Sequence, residues 1–394
     1  MIMAKLIEIT GKALSGEWGS DDTVGNGIPV LRTTNFTNDG IVDYQNVVTR
    51  IINKKNIEEK YLRNGDIIIE KSGGSDKQPV GRVVYFNGEE NTYLFNNFTG
   101  VLRVKDDSEW YSRYVFYSLF SNYRNGGTRR FENKTTGLHN LKIDDYVSSF
   151  EIIALPMHEQ KDICCRLDKI QEIIALRKKQ LIELDMLVKA RFVEMFGDPV
   201  SNPYGYEKVV LSELADIKIG PFGSLLHKED YVENGHALVN PSHIVEGRVV
   251  PDNKLTISEE KYSELYPYHL KNGDVVMGRR GEMGRCAVVD CDGYLCGTGS
   301  LLIRTKGEVT VDYIQKSISF PSFKKSIEDM AVGQTMPNLN VPIVSNLQLI
   351  KPPIEVQNDY YEFVAKIDKS KVVVQKALDE AQTLFDSLMQ EYFG

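Results

Sequence analysis

This sequence carries nearly the same phrase twice. EMFGDP occupies residues 194–199 and EYFG occupies residues 391–394. An offset of about 197 residues, half of the 394, brings the two regions into ungapped register. Pro156 then meets Pro353, Gln160 meets Gln357, Lys169-Ile170 meets Lys366-Ile367, and Phe196-Gly197 meets Phe393-Gly394. Two copies with so long a period point to a duplicated half-molecule rather than a solenoid.

The repeated segments carry a heptad pattern. In the first, Ile163, Leu167, Ile170, Ile174, Arg177, Leu181, Leu184, Val188, Arg191 and Met195 are spaced alternately by four and three. The matching positions of the second are Tyr360, Val364, Ile367, Lys371, Val374, Leu378, Ala381, Phe385, Leu388 and Tyr392. Such a seam predicts a helix in each copy, starting near residues 158 and 355. Each would be roughly 57 Å long at 1.5 Å per residue. Pro156 and Pro352-Pro353 end what precedes the helices, and Gly197 with Asp198-Pro199 stops the first. Matched seams of equal length favour an antiparallel two-helix coiled coil acting as a spacer. A core helix in each half is the plainer reading.

The segments between the helices resemble each other more faintly. NGIPVLRTTNF aligns with NGHALVNPSHI, LRNGDIII with LKNGDVVM, and TGLHNLKI with QTMPNLNV. The shared parts are Asn-Gly-Asp turns and β-branched runs, and the differing parts are loops. Asn64-Gly65 and Asn272-Gly273 read as hairpin signals. Residues 110–121 and 311–323 read as short amphipathic helices. The fold class is therefore α+β, with two mixed domains at 1–154 and 198–351 and long helices at 155–197 and 352–394. One scaffold used twice with different loops suggests one binding domain serving two targets.

Composition narrows the partners. The net charge of −8 means that the chain's own field does not drive nucleic-acid binding, so a partner would supply phosphate affinity. No apolar run approaches the roughly 20 residues of a membrane span, and residues 1–5 lead into no signal-peptide core. Five cysteines suit a reducing compartment, and a cytoplasmic location is expected.

The order of parts resembles the specificity subunit of Type I restriction–modification systems: recognition domain, helix, recognition domain, helix. HEQKDI at 158–163, the Phe-Gly-Asp-Pro exit at 196–199, NGIPVLRTTNF and GDVVMGRRGEMGR carry the resemblance. It implies that each domain reads one half of a bipartite, asymmetric site in double-stranded DNA. It implies that the helices set the gap and dock two methyltransferase subunits, with restriction subunits joining in the full complex. It further implies that this chain is non-catalytic and binds no cofactor. S-adenosylmethionine, ATP and magnesium would belong to partner subunits.

Base edges are read by polar and basic side chains reaching from loops. In the first domain these are Arg32, Thr33 and Asn35; Lys71, Ser72 and Lys77; and Arg129, Arg130, Lys134, Thr136 and His139. In the second they are Asn240, Ser242 and His243; Arg279, Arg280 and Arg285; and Gln334, Thr335 and Asn338. Two other functions stay open: a coiled-coil adaptor that binds no DNA, and a fragment of a fused methyltransferase–recognition enzyme. SNPYGY at 201–206 lacks the second proline of an amino-methyltransferase motif and follows no glycine-rich loop, so it reads as a linker turn. PDNKLTISEEK has nuclease-like residue types but reads as a surface helix start. Cys286, Cys291 and Cys296 are spaced too evenly for a typical zinc site, and SGGS lacks the Gly-Lys-Ser/Thr of a phosphate loop.

Overall fold

The computed structural model describes residues 2–135, 138–330 and 338–394. It divides into two compact units, Met1–Lys179 with Gln375–Gly394, and Gln180–Val374. The long helices run Met157–Phe196 and Ile354–Phe393, and each contributes one part to either unit.

Unit 1 contains a four-stranded antiparallel sheet in the order Leu14–Ser15, Thr99–Leu102, Ile67–Glu70, Val83–Tyr85. A second sheet runs Ser20–Asp21, Val48–Ile51, Ile28–Leu31, Leu94–Phe95 and ends in a parallel pair, Val30 against Leu94. Unit 2 repeats the plan. Its first sheet is Ala215–Ile219, Ser300–Thr305, Val275–Gly278, Cys286–Val288, and its second contains the parallel pair Leu238 against Leu295.

Two local expectations change. The helix Ser112–Arg124 is not amphipathic, because residues 114–121 are all buried. It is covered on two sides: Phe116 meets Tyr85 of the sheet at 5.6 Å between ring centroids, and Tyr117 meets Phe385 of the second long helix at 6.4 Å. Residues 311–323 hold one helix, Val311–Ser319, and the start of another, Pro321–Met330, because Pro321 interrupts the run. The Asn-Gly turns do adopt left-handed glycines, with φ of 93° at Gly65 and 86° at Gly273. They are not hairpins, since Ile67–Glu70 pairs with Thr99–Leu102 and Val83–Tyr85 instead.

What the Asn-Gly turns do hold is a buried carboxylate. Asp66 accepts from Arg103 Nε and Nη2, both at 2.7 Å, and from the Arg63 amide at 2.9 Å. Asp274 accepts from Arg304 Nε at 2.7 Å and Nη2 at 2.6 Å, and from the Lys271 amide at 2.7 Å. The planar guanidinium fork matches the carboxylate and fixes the strand that follows.

The repeated glutamine and phenylalanine anchor the helices. Gln160 is fully buried; its Oε1 accepts from the Tyr111 amide, and its Nε2 donates to the Glu109 and Leu155 carbonyls, all at 2.8 Å. Gln357 accepts from the Thr310 amide and donates to the Pro352 carbonyl, also at 2.8 Å. At the other helix ends, Phe393 lies 5.3 Å from Tyr114 in unit 1 and Phe196 lies 5.0 Å from Tyr313 in unit 2. Those tyrosines are themselves counterparts, donating to the Ile153 and Ile350 carbonyls at 3.1 and 2.9 Å. Each unit therefore grips one helix start by a glutamine and the other helix end by a ring. Gln160→Ala would remove the side-chain partner of three backbone groups. Hydrogen exchange in unit 1 is expected to register a loss of about 2–4 kcal/mol; a loss below about 0.5 kcal/mol would show that the grip is dispensable.

Within each unit the helices run antiparallel. In unit 1, Leu167, Ile170 and Ile174 are buried with Phe385 and Met389, and Ile163, Leu378, Ala381 and Leu388 are packed around them. Arg166 donates to the Tyr392 hydroxyl there at 3.2 Å. In unit 2, Val188 and Tyr360 are buried with Met195, Val364 and Ile367 alongside, and Tyr360 donates to the Val188 carbonyl at 3.4 Å. Leu181, Leu184 and Val374 are half-buried. Lys371, the charged member of its seam, is satisfied by Asp185 and Asp368.

Candidate nucleic-acid interface

The first loop of each unit is a single 3-10 turn after a buried strand. In unit 1 this turn is Thr33–Asn35. Asn35 is buried; its Oδ1 accepts from the Arg32 amide at 3.0 Å, and its Nδ2 donates to the Asp43 and Gln45 carbonyls at 3.0 and 3.1 Å. In unit 2 the turn is Pro241–His243, and His243 is buried with Nδ1 2.7 Å from the Leu238 carbonyl. Asn35 and His243, both expected to reach outward, instead hold their turns from inside. Arg32 is half-buried, with Nη2 3.4 Å from the Asn46 carbonyl and Nε buried without a partner. Thr33 and Asn240 are half-buried, and Ser242 is exposed.

The second and third loops, far apart in sequence, meet. In unit 1, Ser72–Gly74 pairs with Leu138–Leu141, which pairs with Glu132–Thr135, the strand that carries Lys134. In unit 2, Arg280 bridges Asn338, and Arg279 Nε donates to Asn338 Oδ1 at 3.0 Å. The two junctions are equivalent: the Leu141 amide donates to the Lys71 carbonyl at 2.8 Å, and the Leu339 amide to the Arg279 carbonyl at 2.9 Å. This equivalence exposes a residue missed above. Asn140 is the counterpart of Asn338, legible in the paired HNL and PNL tripeptides. Thr136, Gln334 and Thr335 lie outside the described residues.

Cationic side chains gather at these junctions. Lys77, Arg129, Arg130 and Arg280 are exposed, and Lys71, Ser72 and Arg279 are half-buried. Burial, then the nearby Lys60, lowers the Lys71 ammonium from its usual range. Burial, then Arg280, does the same to Arg279. Among the described residues, no carboxylate forms an ion pair with Lys77, Arg279 or Arg280. Adjacent cations without an ion pair, as at Arg279 and Arg280, favour an arriving anion. Arg129 donates to the Asp76 carbonyl at 3.4 Å, and Arg130 lies 4.8 Å above the Phe131 ring. His139 is buried, with Nδ1 3.1 Å from Glu132 Oε2, so it supports the sheet rather than the surface.

Arg285 is likewise committed inward. It donates to Glu282 Oε2 from Nε at 3.0 Å and from Nη2 at 2.6 Å, and its Nη1 reaches the Pro241 carbonyl at 3.3 Å. Lys324 and Arg285 hold the Glu282 carboxyl down to about 2. Its counterpart Arg82 donates to the Phe36 and Thr33 carbonyls at 3.0 and 2.8 Å. Each arginine therefore ties the first turn to the strand returning from the second loop. The Gly-Arg repeat, 81–82 against 284–285, was the signal that this residue belongs to the scaffold.

The other motifs take ordinary places. Ser258 caps the helix Glu259–Glu264, accepting from the Lys261 amide at 3.2 Å. Cys286 and Cys296 are buried on separate strands and Cys291 is exposed. No helix among the described residues is long and apolar enough to cross a membrane.

Known proteins with this arrangement agree with each other. The Type I restriction enzyme MjaVIII specificity subunit of Methanocaldococcus jannaschii is 21% identical over 296 residues, covering 70% of this chain and 68% of that protein. The fold is that of the Type I restriction–modification S subunit from M. genitalium, with TM-score 0.60, 14% identity, and coverage of 100% of this chain and 96% of the other. A structure describing complex assembly and conformational transition of the type I R-M system matches with TM-score 0.61 and 16% identity, covering 100% and 97%. The profile of the Type I restriction modification DNA specificity domain matches twice, at residues 3–186 and 203–381. With both halves matched, this chain belongs to the Type I restriction–modification DNA specificity family.

Proposed function

We propose that unit 1 reads one half of a bipartite, asymmetric DNA site and unit 2 reads the other, with the long helices setting the gap between them. The observation that carries this is the repeated junction of the second and third loops. One backbone frame presents Lys71, Ser72 and Asn140 in one unit and Arg279, Arg280 and Asn338 in the other. Arginine and asparagine form bidentate contacts with guanine and adenine edges, so different residues on one frame give different letters.

The subunit family is non-catalytic, and DNA and the other restriction–modification subunits are its partners. In our reading two methyltransferase subunits dock along the long helices. Support comes from apolar side chains outside the seam: Ile173, Leu176 and Leu384 in unit 1, and Met186, Val372 and Val373 in unit 2 are 45–69% exposed. Apolar area of this kind marks a protein partner. S-adenosylmethionine would be carried by those subunits, and ATP and magnesium by restriction subunits, in a cytoplasmic complex.

Arg280→Ala tests the reading. Modified-base sequencing of cells expressing the variant with its methyltransferase should show relaxed recognition at one position of one half-site. A true base contact is worth ~1–3 kcal/mol, or roughly 5- to 150-fold in discrimination. Equal loss at both half-sites would assign Arg280 to phosphate binding, and an unchanged motif would remove it from the interface.

A further inference from the structure

We propose that each unit carries one exposed phenylalanine, Phe98 in unit 1 and Phe222 in unit 2, that inserts against a DNA base step and unstacks it. The inference deepens the DNA-reading role proposed above and rests on it.

Both residues lie on segments hydrogen-bonded to the reading loops. The Phe98 carbonyl accepts the amides of Lys71 and Ser72 at 2.8 and 3.3 Å. Two residues earlier, the Asn96 amide donates to the Leu31 carbonyl at 3.0 Å, beside Arg32. Phe98 therefore lies between the first and second loops. Its own loop is stiff: Thr99 Oγ1 donates to the Asn96 carbonyl at 2.9 Å and contacts Asn96 Oδ1 at 3.2 Å. Yet Phe98 is 51% exposed.

Unit 2 reaches the same place from a different part of the chain. The residue in the position of Phe98 is Gly299, whose carbonyl accepts the Arg279 amide at 3.0 Å. The aromatic ring comes instead from Phe222, 61% exposed, on the segment that crosses this loop. Thr298 Oγ1 donates to the Pro221 carbonyl at 2.7 Å, and Asn240 Oδ1 accepts the Gly299 amide at 3.3 Å. The crossing is tight: a Cβ on Gly220 would lie 2.0 Å from the Gly297 carbonyl oxygen, and one on Gly16 would lie 2.1 Å from that of Asn96. In unit 1 the residue corresponding to Phe222 is Trp18, and the Arg50 guanidinium covers it at 4.1 Å.

The duplication did not copy an exposed aromatic position; each half instead exposes a phenylalanine on a non-equivalent segment beside the reading loops. An exposed phenylalanine beside loops that carry cations loses water contact only when something flat or apolar covers it. Cations bring the backbone close, and apolar wedges then enter base steps. A loosened step would also ease removal of a base from the stack by a methyltransferase partner.

The experiment uses the chain in complex with its methyltransferase subunits and a duplex bearing the site found by modified-base sequencing. Permanganate, which oxidises unstacked thymines, reports the step. Phe98→Ala is expected to weaken binding about tenfold and to lower thymine reactivity in the half-site read by unit 1 only. Phe222→Ala should do the same in the other half, and Phe98→Trp should restore both signals. Unchanged affinity and reactivity in both alanine variants overturns the wedge. So does equal loss in both halves accompanied by a lower melting temperature, which would mean a structural role. If the wild-type complex prefers no two-part sequence at all, the DNA-reading role itself fails instead.

Discussion

Asp274→Ala is expected to destabilise unit 2 by about 3 kcal/mol and to abolish recognition of its half-site. Asp274 is 2% exposed, and its carboxylate takes three hydrogen bonds, two from Arg304 and one from the Lys271 amide. Removing it strands the amide and leaves the guanidinium without its counter-ion. Arg304 keeps 38% of its side-chain surface in water, which places the loss at the lower end of the range for a broken buried pair. Hydrogen exchange resolved by peptide is the suitable measurement, because a chain with two units need not unfold in one step. Protection should fall in strands Val275–Gly278 and Ser300–Thr305 while unit 1 holds. Asp66→Ala should give the mirror result in unit 1. A uniform loss across both units would contradict this separate role.

Four residues inserted into the middle of both long helices should leave both half-sites unchanged and widen the gap between them. The rise of 1.5 Å per residue adds about 6 Å, or roughly two base pairs at 3.4 Å each. Inserting into both helices keeps the two seams opposite each other, at the cost of a local change in coiling. Inserting into one alone sets Leu181 and Leu184 out of phase with the other helix and should reduce soluble protein sharply. Modified-base sequencing reads the gap directly, and an unchanged gap in the double insertion would sink the ruler.

The helices and the duplication were legible because both rest on periodicity and repeated identity. Gln160, Gln357, Phe196 and Phe393 stood out as matched residues before their hydrogen bonds and ring contacts were visible. Loop side chains were less legible, since composition does not tell inward from outward. Asn35, His139, His243 and Arg285 have the chemistry of base readers, but nearby carbonyls and carboxylates engage them first. The Asn-Gly turns misled because the strand after each pairs with distant segments. Phe98 and Phe222 escaped notice because alignment of the halves pairs neither with an aromatic exposed in the same way.

The way each unit grips both helices has a consequence for synthesis. Unit 2 is one continuous stretch, Gln180–Val374, so it can close as soon as it leaves the ribosome. Unit 1 is made before unit 2 but needs Gln375–Gly394 to cover Tyr114 and Tyr117, so it waits until unit 2 has been made. During that interval its aromatic helix lacks its cover and is open to aggregation or to chaperones. Translation halted before residue 375 would therefore spoil unit 1, the earlier made of the two, while sparing unit 2.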